Sequence, residues 1–206
     1  MFNSIKTNLI GEYSEKKSKF IANGYYIESE EDAKKKLEEI RKKYFDAKHN
    51  CYAYRVFEQG QLIEKMSDDG EPSGTAGAPM LNIMKGKNLC NCIIIVTRYF
   101  GGILLGTGGL VRAYSEAVNN ALENVELYPI SDGVSISFEI TYSDLKNLQY
   151  YCQNNDILIV NQAYEENIKI EANLSKEKLE NMQNEISTLN FKINNLKVEK
   201  EIMYFI

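Results

Sequence analysis

The sequence predicts an α+β protein composed of two domains. Its 206 residues are enough for two small domains or for one large domain. The turn-forming residues Pro129, Asp132 and Gly133 lie between two complete patterns of strands and helices. The second pattern has the order βαββαβ, which specifies a ferredoxin-like plait. We therefore expect an N-terminal domain over residues 1–131 and a ferredoxin-like domain over residues 132–206.

The first predicted elements are two strands and a helix. Residues 7–13 and 19–27 have strand-like composition and are separated by a short polar stretch. Residues 29–32 have the spacing of a helix capping box, and apolar residues then recur at helical intervals over residues 33–44. The lysines of this helix stand four residues from glutamates, which favours a solvated face over a nucleic-acid site.

A hairpin, a loop, and a strand between two helices are predicted next. Alternating aromatic residues and a Gln59-Gly60 turn indicate the hairpin, and a near-continuous apolar run indicates a strand covered on both faces. The loop over residues 67–77 is rich in Gly, Pro, Asp and Ser. The predicted elements are strands over residues 49–57 and 61–66, a helix over 78–85, a strand over 90–97 and a helix over 110–123.

The second half has short elements with clear periodicity. Leu179, Met182, Ile186 and Leu189 are spaced as one face of a helix. The predicted order is a strand over residues 134–141, a helix over 144–153, strands over 157–164 and 167–174, a helix over 176–189 and a strand over 192–199.

The composition limits the class of function. The chain is 44% hydrophobic, 26% charged and has a net charge of −5. That charge argues against a protein that coats nucleic acid by bulk electrostatics, although it leaves local basic patches open. The N-terminus lacks the apolar segment of a signal peptide, and the longest apolar run, residues 93–96, is far too short to cross a bilayer. We expect a cytoplasmic protein without a membrane partner.

Two glycine-rich stretches carry most of the functional signal. Residues 68–77 and 101–109 together contain eight of the thirteen glycines. The second stretch leads from a strand into a helix N-terminus, where unpaired backbone N–H groups favour an anion. Arg98 precedes it and Arg112 follows it. We expect both arginines to line one site with the loop over residues 67–77 and to hold an anionic partner.

A structural explanation of the same residues stays open beside the binding one. The glycines would then serve only turns and close packing. The arginines would pair with Asp68, Asp69 or Glu71 and pin the loops. These carboxylates could alternatively hold Mg²⁺ beside a phosphate, although loop-capping is the commoner role of such residues.

The sequence offers few residues for nucleotide binding, metal binding or nucleophilic catalysis. The chain has no P-loop motif, and Val111 stands where a dinucleotide-binding motif needs its last glycine. His49 is the only histidine, and Cys90 and Cys92 lack further thiols to complete a tetrahedral set. Cys51 lies near His49 in sequence but without an evident oxyanion donor. We expect no catalytic residue, no metal and no cofactor.

Three segments of the chain resemble the IMPACT/YigZ family. They are His-x-Cys-Tyr-Ala-Tyr-Arg at residues 49–55, the run Ser-Asp-Asp-Gly-Glu-Pro-Ser-Gly-Thr-Ala-Gly-x-Pro-Met at 67–80, and the segment containing Arg-Tyr-Phe-Gly-Gly at 96–114. The resemblance implies an N-terminal domain like domain 2 of ribosomal protein S5. It also implies a ferredoxin-like C-terminal domain similar to the late domains of translocating elongation factors. Eukaryotic relatives, which carry an additional N-terminal domain, regulate translation by competing with a stress-responsive kinase for its activator.

The resemblance also implies a partner- or anion-binding surface, which we name the glycine-rich face. One departure from the family pattern is Ala78, where relatives often have Arg or Lys, and this departure weakens the case for a polyanion groove. The residues that match the family motifs by position, or lie beside those that do, are His49, Arg55, Asp68, Asp69, Gly70, Glu71, Ser73, Gly74, Thr75, Gly77, Arg98, Tyr99, Gly101, Gly102, Gly106, Thr107, Gly108, Gly109 and Arg112.

Three functions are compatible with these residues. The leading hypothesis is a non-enzymatic regulator that binds RNA, the ribosome or a translation-associated protein through the glycine-rich face. The second is an enzyme or sensor of a small phosphorylated, nucleotide-like ligand at residues 101–109, which requires a catalytic base and a Mg²⁺ carboxylate at that loop. The third is a protein-binding adaptor, for which an exposed apolar patch would be the sign.

Overall fold

The computed structural model describes residues 2–206, which form two compact units that meet in sequence between Ile130 and Ser131. This division falls one residue before the boundary expected from the turn residues. Each unit has a buried core of its own. Within residues 2–206, every helix is too short or too polar to cross a lipid bilayer.

The first unit contains a five-stranded antiparallel sheet with helices on both faces. The strand order is β2-β3-β6-β4-β5, so β6 lies at the centre. Helices α2 and α3 pack on one face and α1 packs on the other. The elements are β1 (Phe2–Ser4), β2 (Leu9–Glu15), β3 (Ser18–Tyr26), α1 (Glu30–Lys43), β4 (His49–Glu58), β5 (Gln61–Ser67), α2 (Gly77–Gly86), β6 (Cys92–Tyr99) and α3 (Gly106–Leu122).

The central strand β6 explains the apolar run seen in the sequence. Its residues from Cys92 to Arg98 are all buried. Ile94 and Val96 pack in the core shared with α2 and α3, whereas Ile93 and Ile95 pack against α1. A strand covered on both faces needs apolar side chains at successive positions, and the sequence shows that pattern.

Helix α1 begins at the capping residue expected from the sequence. The Ser29 hydroxyl oxygen accepts a hydrogen bond from the Asp32 backbone N–H at 3.1 Å. Three acidic residues occupy the first turn and three basic residues the last turn, which complements the helix dipole. The lysine-rich surface of the helix includes Lys36, which lies 2.9 Å from Glu39. The lysines of α1 thus form a solvated face with local ion pairs.

The second unit is a ferredoxin-like plait. Its strand order is β10-β7-β9-β8, with β9 antiparallel to both of its neighbours. Residues of α4 and α5 share one core with the inward residues of β7 and β9. The elements are β7 (Tyr128–Ile140), a 3₁₀ turn (Tyr142–Asp144), α4 (Leu145–Asn154), β8 (Leu158–Tyr164), β9 (Ile168–Leu174), α5 (Lys176–Glu185) and β10 (Asn194–Phe205).

The break expected at residues 129–133 is wrong, because strand β7 runs through these residues. It continues through all three turn-forming residues, and its first residues pair with β1. At Gly133 a β-carbon would lie 2.4 Å from the carbonyl oxygen of Leu174 and 2.6 Å from the ring of Tyr204. Glycine is therefore required at this position for close packing inside a strand, and the sequence pattern wrongly predicted a turn.

Strand β1 was not predicted, because three residues are too few to show a period. It is held by backbone hydrogen bonds to the segment before β6, where the Asn3 N–H donates to the Asn88 carbonyl at 2.9 Å and the Cys90 N–H donates to the Asn3 carbonyl at 2.9 Å. Its remaining partner is the start of β7.

Candidate functional site

The fold brings most of the motif residues to one end of the first sheet. His49 begins β4 and lies directly opposite Arg98, near the end of β6. The loop at residues 68–76, which we name the acidic loop, folds over both strands. The segment at residues 100–105, which we name the apolar loop, then connects β6 to α3. Two stretches that are separated in sequence are therefore neighbours in the structure.

Asp68 holds the acidic loop in shape. One carboxylate oxygen accepts from the Gly74 N–H at 2.8 Å, and the other accepts from the N–H groups of Ala76 at 2.9 Å and Gly77 at 2.8 Å. Burial alone would raise the pKa of Asp68, but these three backbone donors hold it below its usual value. The carboxylate of Asp68 thus serves the loop itself.

Asp69 ties the acidic loop to β4 and α1. Its carboxylate accepts from the Asn50 N–H at 2.7 Å and from the Arg41 guanidinium at 2.9 Å. Its backbone carbonyl lies 2.8 Å from Nδ1 of His49. Because a carbonyl oxygen can only accept, Nδ1 of His49 carries the proton and the imidazole acts as a donor that fixes the loop.

A buried polar cluster joins the acidic loop to β6 and α3. Nη1 of Arg98 donates to both carboxylate oxygens of Glu71, at 2.6 and 2.9 Å, and the Tyr114 hydroxyl donates to Glu71 at 2.8 Å. The Arg98 and Glu71 side chains are only 7% and 3% exposed. The Cys51 thiol donates to the Asp68 carbonyl at 2.9 Å. Of the two roles that the sequence left open for Arg98, this geometry favours pinning the loop.

Tyr114 is a member of this cluster that was not predicted as a site residue. It closes the third family-like segment, which was the available signal, but its hydroxyl could not be placed near Glu71 without the fold. Burial is the main reason that the pKa of Tyr114 is raised, and burial raises the pKa of Cys51 to about 12. Cys51 is therefore a protonated hydrogen-bond donor in this cluster at neutral pH.

The second glycine-rich stretch is only partly a loop. We expected a loop over residues 101–109, but α3 begins at Gly106, so Gly106, Thr107, Gly108 and Gly109 form its first turn. That turn has no side-chain cap and no acidic residue, which leaves its backbone N–H groups open to an acceptor. Arg112, one turn further on, is exposed and makes no hydrogen bond or ion pair with the rest of residues 2–206.

The glycines of this stretch have different reasons to be glycine. At Gly101 a β-carbon would lie 2.0 Å from the carbonyl carbon of Lys17, so the β2–β3 turn packs directly on its backbone. The Gly101 N–H also donates to the Ser18 hydroxyl at 3.1 Å. At Gly108, by contrast, nothing lies within 4 Å of a β-carbon. Packing thus requires Gly101 and places no demand on Gly108.

The apolar loop exposes large hydrophobic side chains. The exposed fraction is 52% for Phe100, 45% for Ile103 and 81% for Leu104, and Val111 on α3 is 38% exposed. A group of exposed apolar side chains on a globular protein is typical of an interaction site. These residues were not predicted as part of the site, because the glycines around them indicated a role for the backbone.

Two predicted site residues lie apart from the others. Arg55 shares a face of β4 with His49 but lies six positions along the strand, where its guanidinium donates to Glu64 at 2.9 Å and to the Leu89 carbonyl at 2.7 Å. Tyr99 alternates to the α1 face of the sheet, and its hydroxyl donates to Asp46 at 2.7 Å. The residue pattern could not separate them from the site, because a shared motif does not show which end or face of a strand a residue occupies.

Among the described residues, no group of three or more His, Cys, Asp or Glu side chains is arranged to hold a metal ion. Asp68, Asp69 and Glu71 are each occupied by protein donors. Cys90, expected within a strand, precedes β6 with a buried side chain.

Each of the two units matches a known protein family. A family model described as the Impact N-terminal domain matches residues 16–122, and one described as a domain of unknown function, DUF1949, matches residues 138–189. The first range contains every residue assigned to the glycine-rich face. A crystal structure described only as that of a hypothetical protein is 29% identical and has a TM-score of 0.65, covering 96% of this chain and 98% of that one.

Curated relatives come from bacteria and from eukaryotes. An IMPACT family member of Haemophilus influenzae is 34% identical over 183 residues, which is 88% of this chain and 89% of that protein. The protein IMPACT homolog of Dictyostelium discoideum is 39% identical over 118 residues, which is 56% of this chain but only 32% of that protein. The domain match and the near full-length bacterial relative show that the chain belongs to the IMPACT family.

Proposed function

We propose that the chain is a non-enzymatic regulator that binds a protein of the translation apparatus through its glycine-rich face. The observation that carries this proposal is the apolar loop, where Phe100, Ile103 and Leu104 are all exposed. Beside it stand the exposed cation of Arg112 and the uncapped start of α3. Buried apolar anchors beside a few polar contacts are the usual composition of a protein–protein interface.

The net charge of the chain and the pairing of three of its four arginines favour a protein partner over RNA. Arg55 and Arg98 are both buried and engaged with carboxylates. Arg41 is held by Asp69 at 2.9 Å, which leaves Arg112 as the one arginine without a partner within residues 2–206. The net charge of −5 supplies no general attraction for the phosphates of RNA.

The link to translation rests on family membership. Eukaryotic relatives regulate translation, as the resemblance implies, and both domain types recur in ribosome-associated proteins. Likeness of fold supports a role only by analogy. The glycine-rich face lies wholly inside the Impact N-terminal match at residues 16–122.

A cell-free translation assay tests this proposal. Purified chain is added to a translation extract of its own organism, and the rate of reporter synthesis and the sedimentation of the chain with ribosomal fractions are measured, with and without ribonuclease. We expect a change in rate and ribonuclease-resistant association with a translation protein. Leu104→Ser should abolish both, because it removes the most exposed apolar side chain of the loop.

The matched control is Ile10→Ser, since Ile10 is 68% exposed on β2 in the same unit but outside the apolar loop. This variant should behave like the unaltered chain. Equal loss in both variants, or an effect on translation that is unchanged in Leu104→Ser, would rule out the apolar loop as the binding surface.

A further inference from the structure

Arg98 uses only part of its hydrogen-bonding capacity. Nη1 makes both bonds to Glu71, at 2.6 and 2.9 Å. Nε is buried and has no hydrogen-bond partner, and Nη2 makes no bond to any described residue. The edge of the guanidinium that carries Nε and Nη2 is therefore unpaired, although the side chain is only 7% exposed.

The unpaired Nε–Nη2 edge of Arg98 is suited to binding an anion with two oxygens. The N–H groups on Nε and Nη2 are parallel and match the two oxygens of a carboxylate or phosphate. A buried donor without an acceptor is unfavourable, and such groups in folded proteins usually have a specific explanation. Glu71 cannot supply the missing acceptor in this arrangement, because both of its oxygens are held on the Nη1 side and one also accepts from Tyr114 at 2.8 Å.

The surroundings of Arg98 indicate how an acceptor could reach it. The rings of Phe20 and Phe100 each have their centroid 5.4 Å from Cζ of Arg98. Phe20 is fully buried in the core, whereas Phe100 is 52% exposed and begins the apolar loop. Phe100 is therefore the ring that can move aside without disturbing the core, and the loop around it presents aliphatic side chains to whatever enters.

We propose that the Nε–Nη2 edge of Arg98 is the docking point for a carboxylate of the protein partner, carried by an Asp or Glu that is flanked by bulky apolar residues. The inference rests on the proposed function and names the chemistry of the partner's contact segment. The carboxylate pairs with Arg98 when Phe100 swings away, and the flanking apolar residues cover Ile103 and Leu104. The positive charge of Arg98 favours an acidic residue in the partner, and the exposed apolar loop favours apolar residues on either side of it.

Nuclear magnetic resonance of the intact chain tests this directly. The chain has four arginines, so the four Nε–H signals can be assigned through single Arg→Lys variants. A phage-displayed random peptide library is selected against the full chain. The enriched peptides should contain Asp or Glu between bulky apolar residues, and adding such a peptide should shift the Nε–H signal of Arg98.

Arg55 is the internal control for this titration. It is as buried as Arg98, but its Nε already donates to Glu64 at 2.9 Å, so its signal should not move. The same peptide with Gln or Asn in place of the acid should bind about tenfold more weakly or worse, because a charge-assisted pair is lost. An Arg98 signal that stays fixed, or that the amide peptide shifts equally, would overturn the proposal.

A variant that leaves the buried pair intact provides a second measurement. In Phe100→Ala the Nε–H of Arg98 should exchange with solvent at least about tenfold faster, since hydrogen exchange reports local opening. The Nε–H of Arg55 should be unaffected. Unchanged exchange at Arg98 would show that Phe100 does not cover this edge.

The outcomes separate this inference from the proposed function. If selected peptides lose binding in Leu104→Ser but never shift Arg98, the face binds protein and only the role of Arg98 fails. If oligouridylate shifts Arg98 and acidic peptides do not, the anion is a phosphate of RNA and both proposals fail. If no selected peptide is sensitive to Leu104→Ser, the proposed binding surface itself is wrong.

Discussion

At the scale of single residues, Glu71 is the side chain on which the glycine-rich face depends. It accepts hydrogen bonds from Arg98 on β6 and from Tyr114 on α3, while its own backbone belongs to the acidic loop. Its side chain is 3% exposed. One carboxylate therefore joins three elements, and the arginine beside it depends on that carboxylate for its buried charge to be neutralised.

Glu71→Gln should lower the free energy of unfolding by about 3–5 kcal/mol, because it leaves the buried Arg98 charge without a counter-ion. Urea unfolding at neutral pH measures the loss. Glu12→Gln is the control, since Glu12 pairs with Lys19 at 2.8 Å while its side chain is 53% exposed, and it should cost less than about 1 kcal/mol. Similar losses in the two variants would contradict the view that the buried pair pins the loop.

The buried thiols predict a pH dependence. Burial raises the pKa of Cys51 and of Cys92 from 9.0 to about 12. In the unfolded chain these thiols ionise near pH 9, whereas in the folded protein they stay protonated. Their contribution to stability should thus be complete below pH 9 and be lost as the pH rises towards 12, by about 1 kcal/mol per thiol and pH unit.

Urea unfolding at pH 8 and pH 10 measures this effect. Cys92→Ala, which removes one fully buried thiol, should show a smaller loss between the two pH values than the unaltered chain. Iodoacetamide at pH 8 should modify the native protein far more slowly than the unfolded protein. Rapid native alkylation of Cys51 would contradict its assignment as a buried, protonated donor.

At the scale of elements, the proposed binding surface is built on one continuous segment. This segment consists of β6, the apolar loop and the start of α3. The strand is fixed by burial on both faces, and the acidic loop is tied to its end through Arg98. The apolar loop then leaves the sheet over the β2–β3 turn at Gly101 and starts a helix without a side-chain cap. Rigid elements on either side thus present an exposed segment, an arrangement common in binding sites.

Alanine substitution at two glycines of this segment should change the free energy of unfolding in opposite directions. Gly108→Ala should raise the free energy of unfolding by about 0.5–1 kcal/mol, because its position is helical and open. Gly102→Ala should lower it by about 1–2 kcal/mol, because Gly102 has a φ of +84° although space is available. Thermal unfolding measures both.

The same pair of variants also separates packing from binding. If a partner approaches the first turn of α3 closely, Gly108→Ala should weaken binding even though it stabilises the fold. A Gly108→Ala protein that is more stable and binds its partner unchanged would show that this glycine has no role in the interface.

Much of the element pattern could be predicted from the sequence, since local signals determined it. The cap at Ser29 and the apolar run of β6 are examples. The glycine-rich face could be predicted only as a set of motif residues. That Arg98 pairs with Glu71, 27 positions earlier in the chain, or that Arg55 belongs to another cluster, depends on strand register and on which end of a strand a residue occupies.

At the scale of the whole molecule, the chain consists of two units with separate cores. The core of the second unit includes Ile136, Leu148 and Met182, and all its members follow Ser131 in the sequence. Strand β7 belongs to both units along its length, because its first three residues pair with β1 and the later ones pair with β9. The boundary between the two units thus falls within strand β7.

We propose that each unit folds alone. A fragment of residues 1–131 keeps β1 with the first residues of β7, and a fragment of residues 132–206 keeps the rest of β7 with β8, β9 and β10. Each should give dispersed amide signals and a cooperative thermal transition. If the 132–206 fragment is unfolded while the full chain is folded, the two units are not independent folding units.

Site-specific photo-crosslinking in living cells tests the central claim most directly. A benzophenone amino acid is placed at position 104 in the apolar loop, and at position 10 on β2 as a control that is also well exposed. The account predicts that position 104 forms a discrete adduct with a protein of the translation apparatus and that position 10 does not. Adducts with RNA alone, or the same adducts at both positions, would contradict it.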